Sequence, residues 1–421
     1  MLWRASGAGS RNSGPKWRKS AVCLPPLTHL RDRLSERRPT MTRLSRMTPR
    51  ERYLAVLRYE SADRIPFQPG WPREKTLKRW HAEGLPEDVN WFEHLCKTIG
   101  IARPYGARPA PWPGPNVRMN PTFEEKVLEH RDGHYIVQDW MGNITEISDE
   151  YDYTYIRAAK DFVTRKWHKF PVETRADFEE MKKRYRPEDP DRYPEDFEAR
   201  VRILRERDEV CAINIPGPFW QMREWCGFEP LCILFLDDPD FVREMVAFWS
   251  DFVSATLARV LEAGVLDAVH ISEDMAYKEK SMISPAMAAE FLAPAWSRWA
   301  SEARQAGVPI VDMDSDGYIE NLIPVWIESG INVCDPVEVA AGNDLPNISA
   351  RFGARMAYRQ GVDKRCIAKG GAAIEDELRR LEPVVRAGGY IPGCDHGVPH
   401  DISWPDFVRY SRMLAEMTGW L

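Results

Sequence analysis

Carboxylates and other reactive side chains gather where apolar runs end. Val308, Ile310 and Val311 lead into Asp312, Asp314 and Asp316 just before Gly317. Val265 to Ile271, with His270 inside it, gives way to Ser272, Glu273 and Asp274. Gly330 to Cys334 ends in Asp335, Arg355 to Tyr358 ends in Arg359, Gln360, Gly361, Val362 and Asp363, and Gly389 to Ile391 ends in Gly393, Cys394, Asp395 and His396. Carboxylate, thiolate and imidazole all ligate zinc, which singles out Glu273, Asp314, Asp316 and Cys394 as a metal set, although no pair has the tight spacing of a zinc signature. The same carboxylates suit general acid–base catalysis or recognition of a cationic or NH-rich substrate, with His270 or Asp274 as the acid–base group. Each residue alone is more often a helix cap or loop brace, because Asp and Ser are the ordinary residues of strand-to-helix turns. Recurrence at successive strand ends raises the functional reading. Trp71, Trp80, Phe219, Trp220 and Trp225 follow the early strand ends and are candidate walls for a flat or methyl-bearing ligand, with core packing as the competing role.

Those ends must be positioned by repeating units. After Glu209, six short apolar runs alternate with helical patterns such as the one beginning at Asp238-Pro239. Strands alternating with helices imply parallel βαβ units, and six in succession favour a closed (β/α)8 TIM barrel over an open doubly wound sheet. Its chemistry then lies where the strands finish. Thr48-Pro49-Arg50-Glu51 is a capping box that opens the ordered chain. From about 110 to 205 the pattern is irregular and reads as an inserted β and helical region, including a hairpin in HYIVQDWMGNITEIS with Gly142-Asn143 at its turn. Residues 1–46 are basic, rich in Ser, Gly and Pro, and read as a disordered extension ahead of one domain over 47–421. Met1, Met41 and Met47 are alternative starts, and organelle targeting is the competing role of the extension.

The chain of 421 residues is 43% hydrophobic, with net charge −6. An acidic balance argues against nucleic acid or an anionic membrane as main partner and leaves a small-molecule substrate as the default. Eight cysteines without a C-x-x-C pair fit a reducing, cytoplasmic setting. No apolar run is long enough to span a membrane. A Gly-rich phosphate loop, a G-x-S-x-G elbow and H-E-x-x-H are all missing from the sequence, which weighs against kinases, serine hydrolases and the common metalloproteases.

RERYLAVLRYESADRIPF, IPGPFWQMREWCG, CDPVEVAAGNDLPNISARFGARMAYRQGVD and GGYIPGCDHGVPHDISWPDFVRY together resemble the uroporphyrinogen decarboxylase superfamily, which also contains corrinoid-dependent methyltransferases. The resemblance implies a (β/α)8 barrel with its pocket at the C-terminal mouth. His396 matches the family's pocket histidine in a G-H-G turn, and Gln360-Gly361 matches its Q-G-N turn. The arginine-rich loop after the first strand is replaced by Pro66-Phe67-Gln68-Pro69-Gly70-Trp71-Pro72-Arg73, and the tyrosine after the family's G-A-P-W-T turn by Glu224 or Trp225. A substrate bearing many carboxylates would find too few cations here. In the methyltransferase branch, zinc sits on an H-x-C pair and a later cysteine; the matching positions here are Asp314, Asp316 and Cys394.

The reading is therefore a barrel enzyme that transfers a methyl group from a small methylated substrate or a corrinoid protein. Zinc is the implied metal, and a separate corrinoid protein or a second copy of the chain the implied partner. His270, Asp274 and His396 form the catalytic set. Trp71, Arg73, Phe219, Trp220, Arg359, Gln360 and Asp395 form the substrate set. The alternatives are a porphyrinogen-type decarboxylase and a barrel that binds a ligand without turnover.

Overall fold

The computed structural model describes residues 47–154 and 164–421; the extension read over 1–46 lies outside the described residues. Thr48 caps the helix Pro49–Leu57, accepting from the Glu51 amide, while the Glu51 carboxylate accepts from the Thr48 amide at 2.8 Å. Strands β1 (Lys126–Arg131), β2 (His134–Gln138), β3 (Ile144–Ser148) and β4 (Arg165–Lys169) form an antiparallel sheet in sequence order. This is the inserted β region, with the hairpin where the alternation placed it. Its loop is organised by Asp139, whose carboxylate accepts from the amides of Met141 and Asn143.

Strands β5 (Ala212–Pro216), β6 (Ala268–Ser272), β7 (Ile310–Asp314), β8 (Val333–Asp335), β9 (Ala357–Val362) and β10 (Tyr390–Cys394) form a parallel sheet in sequence order, with helices between them. The six strands read after Glu209 are present, whereas Arg64 to Phe67, whose sequence also reads as a short strand, forms none; β6 to β9 run on through the polar residues where their apolar runs stop. The reason is that alternate residues face a polar interior. Val269, Val311, Cys334 and Tyr358 belong to the core under the helices. Ala268, Ile310, Val333, Ala357 and Ile391 instead pack together around Tyr53, Val56 and Leu57, so the first helix plugs the N-terminal end of the wheel.

An eightfold wheel has two further places, and the chain fills them without regular ladders. Gln68 to Trp71 runs beside β10, where Cys394 donates its amide to the Pro69 carbonyl at 3.2 Å and Val398 to that of Trp71 at 2.9 Å. Near the approach to β5, the Arg108 carbonyl accepts from the Asp208 amide at 3.1 Å. Pro66, Pro69 and Pro72 in one segment and Pro104, Pro109 and Pro111 in the other lack the N–H a ladder needs. Among the described residues no helix is long and apolar enough to cross a membrane.

One turn at the mouth has no spare volume. Gly217 follows β5 with an ordinary φ of −70°, so an alanine is allowed by the backbone, but its Cβ would lie 2.1 Å from the Glu273 carboxyl carbon. Glu273 cannot swing aside, being held by the Trp220 amide at 3.0 Å and the Trp296 indole at 2.6 Å. Gly217→Ala is expected to lower stability by about 1–3 kcal/mol, read by urea unfolding. An unchanged midpoint would mean that Glu273 is mobile.

Candidate active site

The inward residues of neighbouring strands form one buried polar network. Pro216, Ser272, Asp314 and Asp335 lie at the same level of β5 to β8, with His270 and Asp312 one step deeper. The Asp312 carboxylate accepts from His270 Nδ1 at 2.8 Å and from Arg359 Nη2 at 2.6 Å. The same guanidinium reaches Asp335 at 2.8 Å, and Gln360 Nε2 donates to Asp335 at 3.0 Å. Gln360 takes a left-handed φ of 67°, a strained conformation for a side-chain-bearing residue, in the turn that carries it to Asp335. Ser272 donates to Asp314 at 3.0 Å and accepts from Asn214 Nδ2 at 3.1 Å.

Charge is unevenly shared within this network. Burial pushes the Asp312 carboxyl up, but Arg359 and His270 outweigh it and hold the group ionised. Asp314 has no such cation. Burial, followed by the nearby Asp335, Asp316 and Asp312 carboxylates, raises it to about 7. Asp335 is also raised, by burial against the opposing pull of Arg359. One oxygen each of Asp312 and Asp335, Arg359 Nε and Gln360 Oε1 are buried without a hydrogen-bond partner among the described residues. Buried polar atoms are rarely left so, and unmet groups clustered in one network are what a polar ligand or water would satisfy.

A second group rims the mouth. Arg73 Nη2 donates to His396 Nδ1 at 3.0 Å, so the imidazole carries its proton on Nε2, 3.3 Å from Asp316. Lys364 pairs with Glu338 at 2.8 Å. These residues line a cleft of about 360 Å³ together with Thr76 and Pro399.

The structure brings some of the expected residues together and separates others. His270, Asp314, Arg359 and Gln360 meet in the network, and His396, Asp316 and Arg73 meet at the rim. Glu273, Asp314, Asp316 and Cys394 do not converge, and among the described residues no group of three or more His, Cys, Asp and Glu is disposed to hold a metal. Glu273 is spent on Trp220 and Trp296, and burial raises it to about 8. Cys394 belongs to the core under the helices, where burial and Asp395 push its thiol well up. These residues do not fit the zinc set that the resemblance implied. Phe219 is fully buried core rather than a pocket wall. Asp395 is a brace, its two oxygens accepting from the amides of Lys364 and Val339. Asp274 is paired with Arg223 at 3.1 Å. Trp71 stands half exposed and Trp220 half buried. Sequence reasoning passed over Ser272 and Asn214 as site residues and gave Asp312 no role of its own; the i, i+2 alternation of inward positions was the signal for them.

Cys394 makes a direct check. Iodoacetamide on the folded protein is expected to label the partly exposed Cys232 and Cys366 and spare Cys394 until denaturant is added, as read by peptide mass spectrometry. Native-state labelling of Cys394 would return it to the ligand candidates.

Comparison with known proteins follows the same line. Residues 163–406 match the family described as Uroporphyrinogen decarboxylase (URO-D). No curated protein gives a significant match. Among solved structures, a methyltransferase from Methanosarcina mazei is similar at 13% identity, covering 88% of this chain and 98% of its own, with TM-score 0.49. A B12-independent methionine synthase from Shewanella sp. W3-18-1, in complex with selenomethionine, is similar at 10% identity over 53% of this chain and 65% of its own, with TM-score 0.36. The family match spans more than half of the sequence and takes in all six parallel strands with their inward polar residues, and the chain belongs to the uroporphyrinogen decarboxylase family.

Proposed function

We propose that this chain is a methyl-transferring enzyme in which Asp314 protonates the group that loses the methyl. The observation that carries the reading is a carboxyl raised to about 7 at a barrel strand end, beside a His270–Asp312 pair. In the step proposed, a nucleophile from outside the chain takes the methyl carbon. The bond from that carbon to the substrate's oxygen, nitrogen or sulfur breaks, and the departing atom keeps the electron pair and receives the Asp314 proton. Proton delivery of this kind typically contributes about 10²–10⁴-fold. His270, oriented by Asp312, is placed to return a proton to the site afterwards. A cobalt corrinoid on a separate protein is the acceptor that suits a site whose carboxylates and buried thiol do not form a metal centre.

The cation supply argues against a substrate with many carboxylates. Arg359 is taken by Asp312 and Asp335, and Lys364 by Glu338. The test is a panel of O-, N- and S-methyl compounds incubated with the protein and free cob(I)alamin, following methylcobalamin by its visible spectrum. Formation of methylcobalamin that disappears in Asp314→Asn supports the reading. Silence across the panel, together with CO2 release from a porphyrinogen, would replace it by decarboxylation.

A further inference from the structure

Between the inserted sheet and the helix Pro218–Cys226 lies a cavity of about 300 Å³, several of whose polar groups lack a full set of partners among the described residues. Arg165, at the start of β4, has a buried Nη1 with no hydrogen-bond partner among the described residues. Glu224 lines the same space and makes no hydrogen bond or ion pair to a described residue; burial raises it, with Arg223 and Arg165 opposing. The buried Tyr185 hydroxyl accepts from the Trp225 indole at 3.2 Å and the Gln221 amide at 3.4 Å, which leaves its own proton without an acceptor among the described residues. Arg118 brings a second guanidinium. Trp140 and Trp220 supply flat walls.

We propose that this cavity binds a small ligand carrying a carboxylate on a flat apolar body, held by Arg165, Arg118 and the Tyr185 hydroxyl between Trp140 and Trp220. Arg165 feels the Glu224 and Asp139 carboxyls but hydrogen-bonds neither, and a ligand carboxylate is the partner whose geometry matches the forked donors it leaves open. A cationic ligand is disfavoured by two arginines, and the Trp220 ring already carries the Arg223 guanidinium at 4.7 Å from its centroid. Residues 117–141, which supply one wall, lie outside the span matched to the family, and Arg165, Tyr185 and Trp220 lie inside it. The pocket also lies next to the acid: Pro216 lines the cavity and is aligned through Ser272 with Asp314, two strand spacings or roughly 10 Å away. Resting on the methyl-transfer reading, the carboxylate is then the handle by which the donor is oriented toward Asp314.

The experiment is ¹⁹F NMR titration of the full chain with 4-fluorobenzoate, with 4-fluorobenzyl alcohol and 4-fluorobenzylamine as controls. Expected are saturable binding of the benzoate alone, roughly tenfold or greater weakening in Arg165→Met, weaker binding in Arg118→Met, and unchanged affinity in Asp314→Asn. Equal binding of either control, no saturable binding, or benzoate affinity unmoved by both arginine variants would overturn the proposal. Arg118 is exposed, so its variant carries the test should Arg165→Met fail to fold. Failure of benzoate to bind while Asp314→Asn still abolishes methyl transfer removes only the pocket. Normal benzoate binding by a protein that transfers no methyl group removes only the reaction.

Discussion

Asp314→Asn is expected to lower kcat by about 10²–10⁴-fold and, at the same time, to make the protein more stable at pH 8. The two effects share one cause. The acid form of Asp314 is the active one, so the wild-type rate should be level below about pH 7 and fall tenfold per unit above it. In the variant the residual rate should lose that alkaline limb. For stability, a carboxyl raised from its ordinary 3.8 to about 7 in the folded protein contributes most below pH 3.8, and that contribution is lost as pH rises through 7. By pH 8 the folded chain carries a penalty on the order of 2–4 kcal/mol, which a neutral amide relieves. Urea unfolding at pH 8 and a pH–rate profile read the two sides. A variant that is both inactive and less stable at pH 8 would make Asp314 a structural residue.

Arg359→Met has the opposite character. It removes the cation that, among the described residues, touches both Asp312 and Asp335, and breaking a buried pair from one side is expected to reduce stability by about 3–5 kcal/mol at pH 7.5. The sign with pH follows from Asp312. Its folded pKa is lowered in the wild type, so it stabilises above the ordinary carboxylate range and stops doing so as pH falls through its folded value. Without Arg359 both carboxyls are driven upward by burial, and protonation relieves the variant. Wild-type and variant unfolding free energies should therefore converge toward acid pH. Arg359→Lys should recover only part of the loss, because one ammonium does not reproduce the planar fork. A deficit that stays constant from pH 7.5 downward would mean that Arg359 acts through packing.

How far the site could be read in advance depended on which physical signal each residue carried. The six-strand rhythm was plain, because apolar runs bounded by turn glycines such as Gly307, Gly330 and Gly389 have no other economical reading. Where strands ended was less plain. Polarity usually marks a turn, yet Asp312, Asp314 and Asp335 continue their ladders because the space they face is polar. The metal set failed for a reason linear spacing cannot show. Cys394 and Gly393 are adjacent in sequence, but adjacent strand residues face opposite sides, and the cysteine took the greasy one. Asp395 looked like a mouth residue and is a clamp between two loops. Arg359 read as a substrate residue at a strand end, and its obligation to two buried carboxylates appears only when β7, β8 and β9 are laid side by side.

The plug of the wheel bears on how the protein is made. Tyr53, Val56 and Leu57 rest on residues as late as Ile391, and the Trp420 indole donates to the Ile65 carbonyl at 2.7 Å. Nearly the whole polypeptide must leave the ribosome before its first helix can find its seat. At a synthesis rate of about 5–20 residues per second, that helix waits tens of seconds with its apolar side unshielded. Such an interval is when a holding chaperone would engage the nascent chain, and shortening the far end by a few residues would take away the Trp420 contacts to Ile65 and Arg52 that help to keep the seated helix in place.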